Sequence, residues 1–285
     1  MPGPVGERGG MEPIDLWNEG AGGVRLYCRS WPLAAPRAGL IALHGLGDHS
    51  GLYPMIGETL SARGIAVLTP DLRGNGRSPG PRGYIDAWSD LREDLGRLVE
   101  RTRAEAPGRP LYLLGMSLGG LVVLDYALHH PDGLRGVIAL SPPLGALGVP
   151  APLLALGRVM SRVWPRFSLE TGMDLSGLSR DPAVVERVLA DPLFHRRGTA
   201  RLSTEVMRTI ARVQAEAGRL AVPLLVQHGA ADRMVPPDGS RRFVAQAGHA
   251  DKRLIEYGGA YHALLADLDG ERVLADLTEW AIERL

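Results

Sequence analysis

Leu111-Tyr112-Leu113-Leu114-Gly115-Met116-Ser117-Leu118-Gly119-Gly120 is the stretch on which the fold turns. Its first four residues are an apolar run of strand length, and Leu118–His129 beyond it reads as a helix. Between them lies a Gly-x-Ser-x-Gly pattern. A strand that becomes a helix within one residue holds that serine in a strained backbone conformation, its hydroxyl exposed above the sheet. A side chain at Gly115 or Gly119 would collide with neighbouring backbone. Ser117 would also stand at a helix N-terminus, where N–H groups and the helix dipole favour developing negative charge. With 37 glycines in 285 residues the pattern is weak by itself, and a glycine-rich turn with a solvated serine is the alternative. The strand before it and the helix after it make Ser117 a candidate nucleophile.

The same rhythm extends in both directions. Leu40–Leu43, Ile65–Thr69, Val137–Leu140, Pro223–Gln227 and Arg253–Glu256 are further strand candidates. Leu52–Arg63, Trp88–Ala104, Ser203–Ala217 and Glu271–Glu283 carry helical spacing of apolar residues. Strands alternating with helices predict an α/β fold with a mostly parallel central sheet flanked by helices. The rhythm breaks after Ser141. Leu153–Trp164 is apolar and helical, and Asp181-Pro182 opens a second helix to Leu189, so residues 142–198 read as a helical cap insertion. The core is then 14–141 with 199–285, behind a flexible Gly- and Pro-rich tail over 1–13.

A serine needs an adjacent base, and the base needs an orienting carboxylate. In chain order the acid and then the histidine follow later strands. Asp232 follows the strand Pro223–Gln227 in His228-Gly229-Ala230-Ala231-Asp232, and His262 follows Arg253–Glu256 in Gly258-Gly259-Ala260-Tyr261-His262. Asp238 is the rival acid. His228 is the rival base, but it precedes the acid. His129, His130 and His249 occupy a helix end and a turn, which do not suit a base. His44-Gly45-Leu46-Gly47, at the end of the strand Leu40–Leu43, predicts the other half of an oxyanion hole, with the backbone N–H groups of Leu46 and Leu118 as donors.

Together with Asp71-Leu72-Arg73-Gly74-Asn75-Gly76-Arg77-Ser78, Leu178-Ser179-Arg180-Asp181-Pro182 and Tyr261-His262, these motifs resemble the monoacylglycerol lipase and lysophospholipase-like branch of the α/β-hydrolases, from about residue 15 onward. The resemblance implies the α/β-hydrolase fold, esterase activity on monoacylglycerols or similar lipid monoesters by an acyl-enzyme route, no cofactor, no metal, and a cap over an apolar acyl tunnel. A general carboxylesterase or a lysophospholipase is the alternative, with an aminopeptidase, perhydrolase, C–C hydrolase or non-catalytic binding protein behind it. Two departures stand out. The family usually has histidine where this chain has Met116 and Asn75, and Asn75 is expected to compensate for Met116.

Leu147, Val149, Leu153, Leu154, Leu156, Val159, Met160, Val163 and Trp164 fall in a segment with only Arg158 and Arg162 for charge. Two readings stand: a mobile lid that touches lipid surfaces, or packing of the cap on the core. On the first, Leu153, Leu156, Met160 and Trp164 are candidate substrate-binding residues.

Bulk composition excludes other classes. Lys+Arg and Asp+Glu balance at 32 each, so no net field favours nucleic acid. Lys252 is the single lysine, a compositional bias and not a phosphate-binding signal. Cys28 stands alone, so no intrachain disulfide forms. The first 13 residues lack the apolar run of a signal peptide, and no stretch is long and apolar enough to span a membrane. The expected setting is cytoplasmic, with peripheral membrane contact on the lid reading and no obligate protein partner.

Overall fold

The computed structural model describes residues 12–146, 148–170, 172 and 174–285. Nearly all of the tail expected over 1–13, and Leu147 of the expected lid, lie outside the described residues. In chain order the elements are β1 (Ile14–Glu19), β2 (Arg25–Trp31), β3 (Ala38–Leu43), α1 (Pro54–Ser61), β4 (Ile65–Pro70), α2 (Trp88–Glu105), β5 (Leu111–Met116), α3 (Leu118–His129) and β6 (Leu134–Leu140). They continue with α4 (Ala151–Val163), β7 (Ser168–Glu170), α5 (Pro182–Ala190), β8 (Arg197–Thr199), α6 (Ala200–Ala215), β9 (Leu224–Gly229), α7 (Asp238–Gln246), β10 (Lys252–Tyr257) and α8 (Gly270–Ile282).

Eight strands form one sheet in the order β1-β2-β4-β3-β5-β6-β9-β10. The pairs from β4 through β10 are parallel, whereas β1 with β2 and β2 with β4 are antiparallel. The central strands are buried on both faces, which is why they read as unbroken apolar runs. Alternate residues still serve opposite cores. Ile41, Leu113, Val137 and Val226 pack with α2, α3 and α6, while Leu40, Tyr112, Ile138 and Leu225 pack with α1 and α8. Each fully buried aliphatic side chain contributes roughly 1.5–3 kcal/mol, and a one-residue slip would exchange every one of them between the two cores. The register is therefore strongly specified. Cys28 lies buried in the first of these cores, and burial pushes its thiol pKa up to about 12.

That register aligns the carboxyl ends of the strands. Leu43 pairs with Gly115, Met116 with Leu140, Leu140 with Gln227, and Gln227 with Ile255. The loops after β3, β5, β6, β9 and β10 thus emerge side by side along one edge, where ligand crevices of open α/β sheets form.

Several elements have no counterpart in the sequence reading. β1 is an edge strand with largely exposed residues, and β2 interleaves Arg25, Arg29 and Ser30 with apolar ones, so neither makes an apolar run. The pair β7–β8 has only three residues per strand. The helix α7 starts directly after Pro236-Pro237 and contains Gly239, which obscures its period.

Candidate active site

The turn between β5 and α3 is built as its glycines demand. Ser117 has φ 49° and ψ −117°, a conformation that costs on the order of 1–3 kcal/mol for a residue with a Cβ. A Cβ on Gly115 would lie 2.2 Å from the carbonyl oxygen of Gly119, and one on Gly119 would lie 2.6 Å from those of Leu43 and His44. Backbone packed this closely holds the strained serine in place.

His262 approaches from the loop after β10, its Nε2 3.0 Å from Ser117 Oγ. Its Nδ1 lies 2.7 Å from Asp232 Oδ2. The other oxygen, Asp232 Oδ1, accepts from the N–H groups of Met234 (2.9 Å) and Val235 (2.8 Å). Burial alone would raise the Asp232 pKa. The hydrogen bonds from His228, His262 and the Val235 N–H, with the charge on His262, outweigh burial and hold the carboxyl well below the usual range. The sheet therefore brings Ser117, Asp232 and His262 into one hydrogen-bonded chain. Neither rival joins it in the same way. Asp238 is exposed and paired with Arg241 at 2.6 Å. His228 is fully buried behind the acid; its Nε2 lies 2.8 Å from the Val235 carbonyl and 3.4 Å from Asp232 Oδ2.

The loop after β3 lies against the nucleophile, since a Cβ on Gly45 would come 3.3 Å from Ser117 Cβ. Among the described residues, the N–H groups of Leu46 and Leu118 donate to no protein acceptor. His44 orients the first of them. Its Nε2 accepts from the Leu72 N–H at 2.9 Å, so its Nδ1–H donates to the Gly45 carbonyl at 2.7 Å. Because the peptide is trans, fixing that carbonyl aims the Leu46 N–H the opposite way. Burial lowers the His44 pKa and so keeps the ring in the neutral form this arrangement needs.

A cavity of about 670 Å³, within the range of small-molecule sites, opens over Ser117 and His262. Leu178, Val184 and Val188, between β6 and β9, supply apolar wall, together with Leu52, Met55 and Leu264. Here the structure corrects the sequence reading: Leu153, Leu156, Met160 and Trp164 do not line this cavity. They lie on α4 or at its end, where Leu153, Leu156 and Trp164 are more than half exposed. Apolar content singled out α4, but the shorter α5 is the helix that reaches the cavity. Asn75 likewise makes no hydrogen bond to Met116. Its Oδ1 accepts from the Gly47 N–H at 3.2 Å and from His195 Nε2 at 2.9 Å.

Sequence reasoning missed the supports of the histidine loop. Ser141 Oγ donates to the His262 carbonyl at 2.9 Å, and the His262 N–H donates to the Gly177 carbonyl at 3.2 Å. Arg180 bridges Asp267 (2.7 Å) and Asp269 (2.5 Å), while Asp267 Oδ2 accepts from the Tyr261 N–H at 2.6 Å. The segment before α5 is thus tied to the strand of chain that carries His262. Only Leu178-Ser179-Arg180-Asp181-Pro182, as a motif, pointed there.

Burial, with Arg82 and other nearby positive groups, pulls the His195 pKa from 6.5 down to about 4, and His44 shifts the same way. Between those values the unfolded chain binds a proton that the folded chain does not, so stability falls as pH drops through the window. The melting temperature is expected to decline from pH 6.5 to 4, and to decline less steeply in H195Q. A scanning calorimetry series across that range checks it; equal slopes would contradict the assignment.

A strained serine on a strand-to-helix turn, a histidine and a buried carboxylate in line behind it, and two N–H groups that donate to no acceptor among the described residues define a serine hydrolase of the α/β-hydrolase fold. Comparison with known proteins narrows the class. The family described as "Serine aminopeptidase, S33" matches residues 34–269, and the chain belongs to that family. It is 33% identical over 272 residues to the monoacylglycerol lipase of Mycolicibacterium smegmatis, covering 93% of this chain and 96% of that protein. The crystal structure of Paleococcus ferrophilus monoacylglycerol lipase superimposes with TM-score 0.85 at 36% identity, covering 91% of this chain and 99% of that one. A soluble variant of monoglyceride lipase from Saccharomyces cerevisiae, in complex with a substrate analog, gives TM-score 0.88 at 25% identity, covering 100% and 99%. The chain is a serine ester hydrolase similar to these lipases. Among the described residues no cluster of His, Cys, Asp or Glu could hold a metal ion, and no helix is long and apolar enough to cross a membrane.

Proposed function

We propose that the chain hydrolyses monoacylglycerols, with Ser117, His262 and Asp232 as its catalytic triad and the N–H groups of Leu46 and Leu118 as its oxyanion hole. His262 takes the Ser117 proton as Oγ attacks the ester carbonyl, then gives it to the departing glycerol oxygen. Asp232 holds the Nδ1–H tautomer and stabilises the imidazolium. The two amides, which have no other acceptor among the described residues, take the negative charge of the tetrahedral intermediate. Water activated by the same histidine then releases the fatty acid.

The observation that carries the head-group preference is the make-up of the cavity. Apolar residues such as Val184, Val188 and Leu264 suit an acyl chain. Of the acids there, Asp267 is paired with Arg180, Asp191 meets His49 and Asp48 accepts from the Tyr53 hydroxyl, while Asp181 and Glu271 stand against Arg187. The carboxylate oxygens with acceptor capacity left take the hydroxyls of a neutral head group and disfavour a phosphate. The exposed face of α4, with Val163 77% and Trp164 59% exposed, suits passing contact with a lipid surface.

Rates on a monoacylglycerol, a lysophosphatidic acid and a fatty amide of equal chain length test both readings. The monoacylglycerol is expected to lead by about tenfold or more in kcat/KM, equivalent to about 1.4 kcal/mol. A faster phosphate-bearing or amide substrate overturns the assignment. V163D is expected to lose activity on micellar but not on monomeric ester; an equal loss on both removes the lipid-surface role.

A further inference from the structure

We infer that Asn75 and His195 form a positioning pair through which the inserted segment sets the oxyanion hole. Gly47, next to Leu46, is held at both of its polar groups. Its N–H donates to Asn75 Oδ1 at 3.2 Å, and its carbonyl accepts from the His195 N–H at 3.1 Å. The His195 side chain closes the ring, with Nε2–H donating to the same Asn75 oxygen at 2.9 Å. Its Nδ1 accepts from the Arg197 N–H at 3.1 Å, which fixes the neutral Nε2–H tautomer. Asn75 is pinned in turn, Nδ2 donating to the Arg73 carbonyl at 3.0 Å.

The fit leaves no slack. A Cβ on Gly47, where φ is +80°, would lie 1.9 Å from the His195 carbonyl oxygen, so the backbone of the insertion rests directly on the loop. Two residues further along, His49 Nε2 meets Asp191 Oδ2, at the end of α5, at 3.0 Å. The Leu46 N–H is therefore set from two sides. His44 fixes the peptide before it, and the Asn75–His195 pair fixes the peptide after it. His44 belongs to the core, but His195 belongs to the insertion, so the position of the insertion is read out at the oxyanion donor. A donor displaced by about 1 Å loses most of its transition-state value while substrate binding is little affected.

The inference rests on Leu46 being an oxyanion donor, and the experiment separates the two. A trifluoromethyl ketone with the acyl chain forms an oxyanion adduct with the serine; the matching ether cannot. In the unaltered protein the ketone is expected to bind at least a hundredfold tighter than the ether. A ratio near one overturns the oxyanion reading itself. Given that preference, H195A and N75A are expected to lower kcat and the ketone-to-ether ratio together by about ten- to a hundredfold, with KM changed less than about threefold. H195Q keeps an N–H donor at similar reach and is expected to recover the ratio to within a few-fold. Thr199, the residue that follows the segment, holds its end elsewhere, Oγ1 donating to the Gly83 carbonyl at 2.7 Å. T199V is expected to lower the melting temperature and leave the ratio unchanged. Equal losses in T199V and H195A, or an unchanged ratio in H195A and N75A, overturn the pair. H195N, polar but too short to reach Asn75, gives the same reading as H195A should the alanine variant not fold.

Discussion

Ser117→Ala is expected to lower kcat for ester hydrolysis by about 10⁵- to 10⁶-fold, with the melting temperature little changed. The loss is large because the other parts act as a unit. Without Oγ no acyl-enzyme forms, and the 3.0 Å bond to His262 Nε2 has nothing to deprotonate. What survives is binding and the oxyanion amides acting on water. Stability should change little, because alanine keeps the Cβ and with it the same backbone strain at φ 49°, and loses only the hydroxyl and its bond to His262. Single-turnover kinetics and a fluorophosphonate label check the result; a variant that keeps more than about a hundredth of its rate, or still takes the label, removes Ser117 from the mechanism.

The second large effect falls on Asp232→Asn. It changes no shape, yet kcat is expected to drop by about 10⁴-fold. The reason lies in what the other carboxylate oxygen does. Oδ1 accepts from both the Met234 and Val235 N–H groups, so an asparagine must keep its carbonyl there. Its amide nitrogen then faces His262 Nδ1, where it can only donate. The imidazole is driven into the tautomer with hydrogen on Nε2, which cannot take the Ser117 proton. Because the folded protein favours the ionised carboxylate, the neutral asparagine is also expected to lower the melting temperature, and a cooperative unfolding transition that still lies above the assay temperature sets the tautomer effect apart from unfolding. A loss below tenfold would mean that His262 finds its orientation elsewhere, for instance from Ser141 and the loop around Gly177.

Strong sequence signals came from places where one local requirement excludes most residue types. Gly115 and Gly119 are such places, since backbone oxygens lie within 2.6 Å of any added Cβ. The central strands are another, because burial on both faces leaves only apolar residues. Weak signals came from places where the requirement is shared with a distant partner. β1 and β2 form the antiparallel end of the sheet; β1 is largely exposed and β2 interleaves Arg25, Arg29 and Ser30 with its apolar residues, so neither carries an unbroken run. The apolar stripe on α4 left two readings open, a lid with substrate contacts or packing on the core, because an apolar helix face says only that something apolar is near, not which cavity it borders. Asn75 was visible as a departure, yet its partner His195 lies 120 residues away in sequence.

The order Ser117, Asp232, His262, each past the end of a candidate strand, pointed to the parallel part of the sheet and to the reaction class, because strand burial and turn geometry are local constraints written in residue type. Which side chains close over that chemistry was decided only by the tertiary structure. The aligned register of β3, β5, β6, β9 and β10 brings the loops together, and the insertion then settles on them through Arg180, His195 and α5. Those contacts join residues that place no constraint on one another until the sheet has formed, so no period or motif in the chain could carry them.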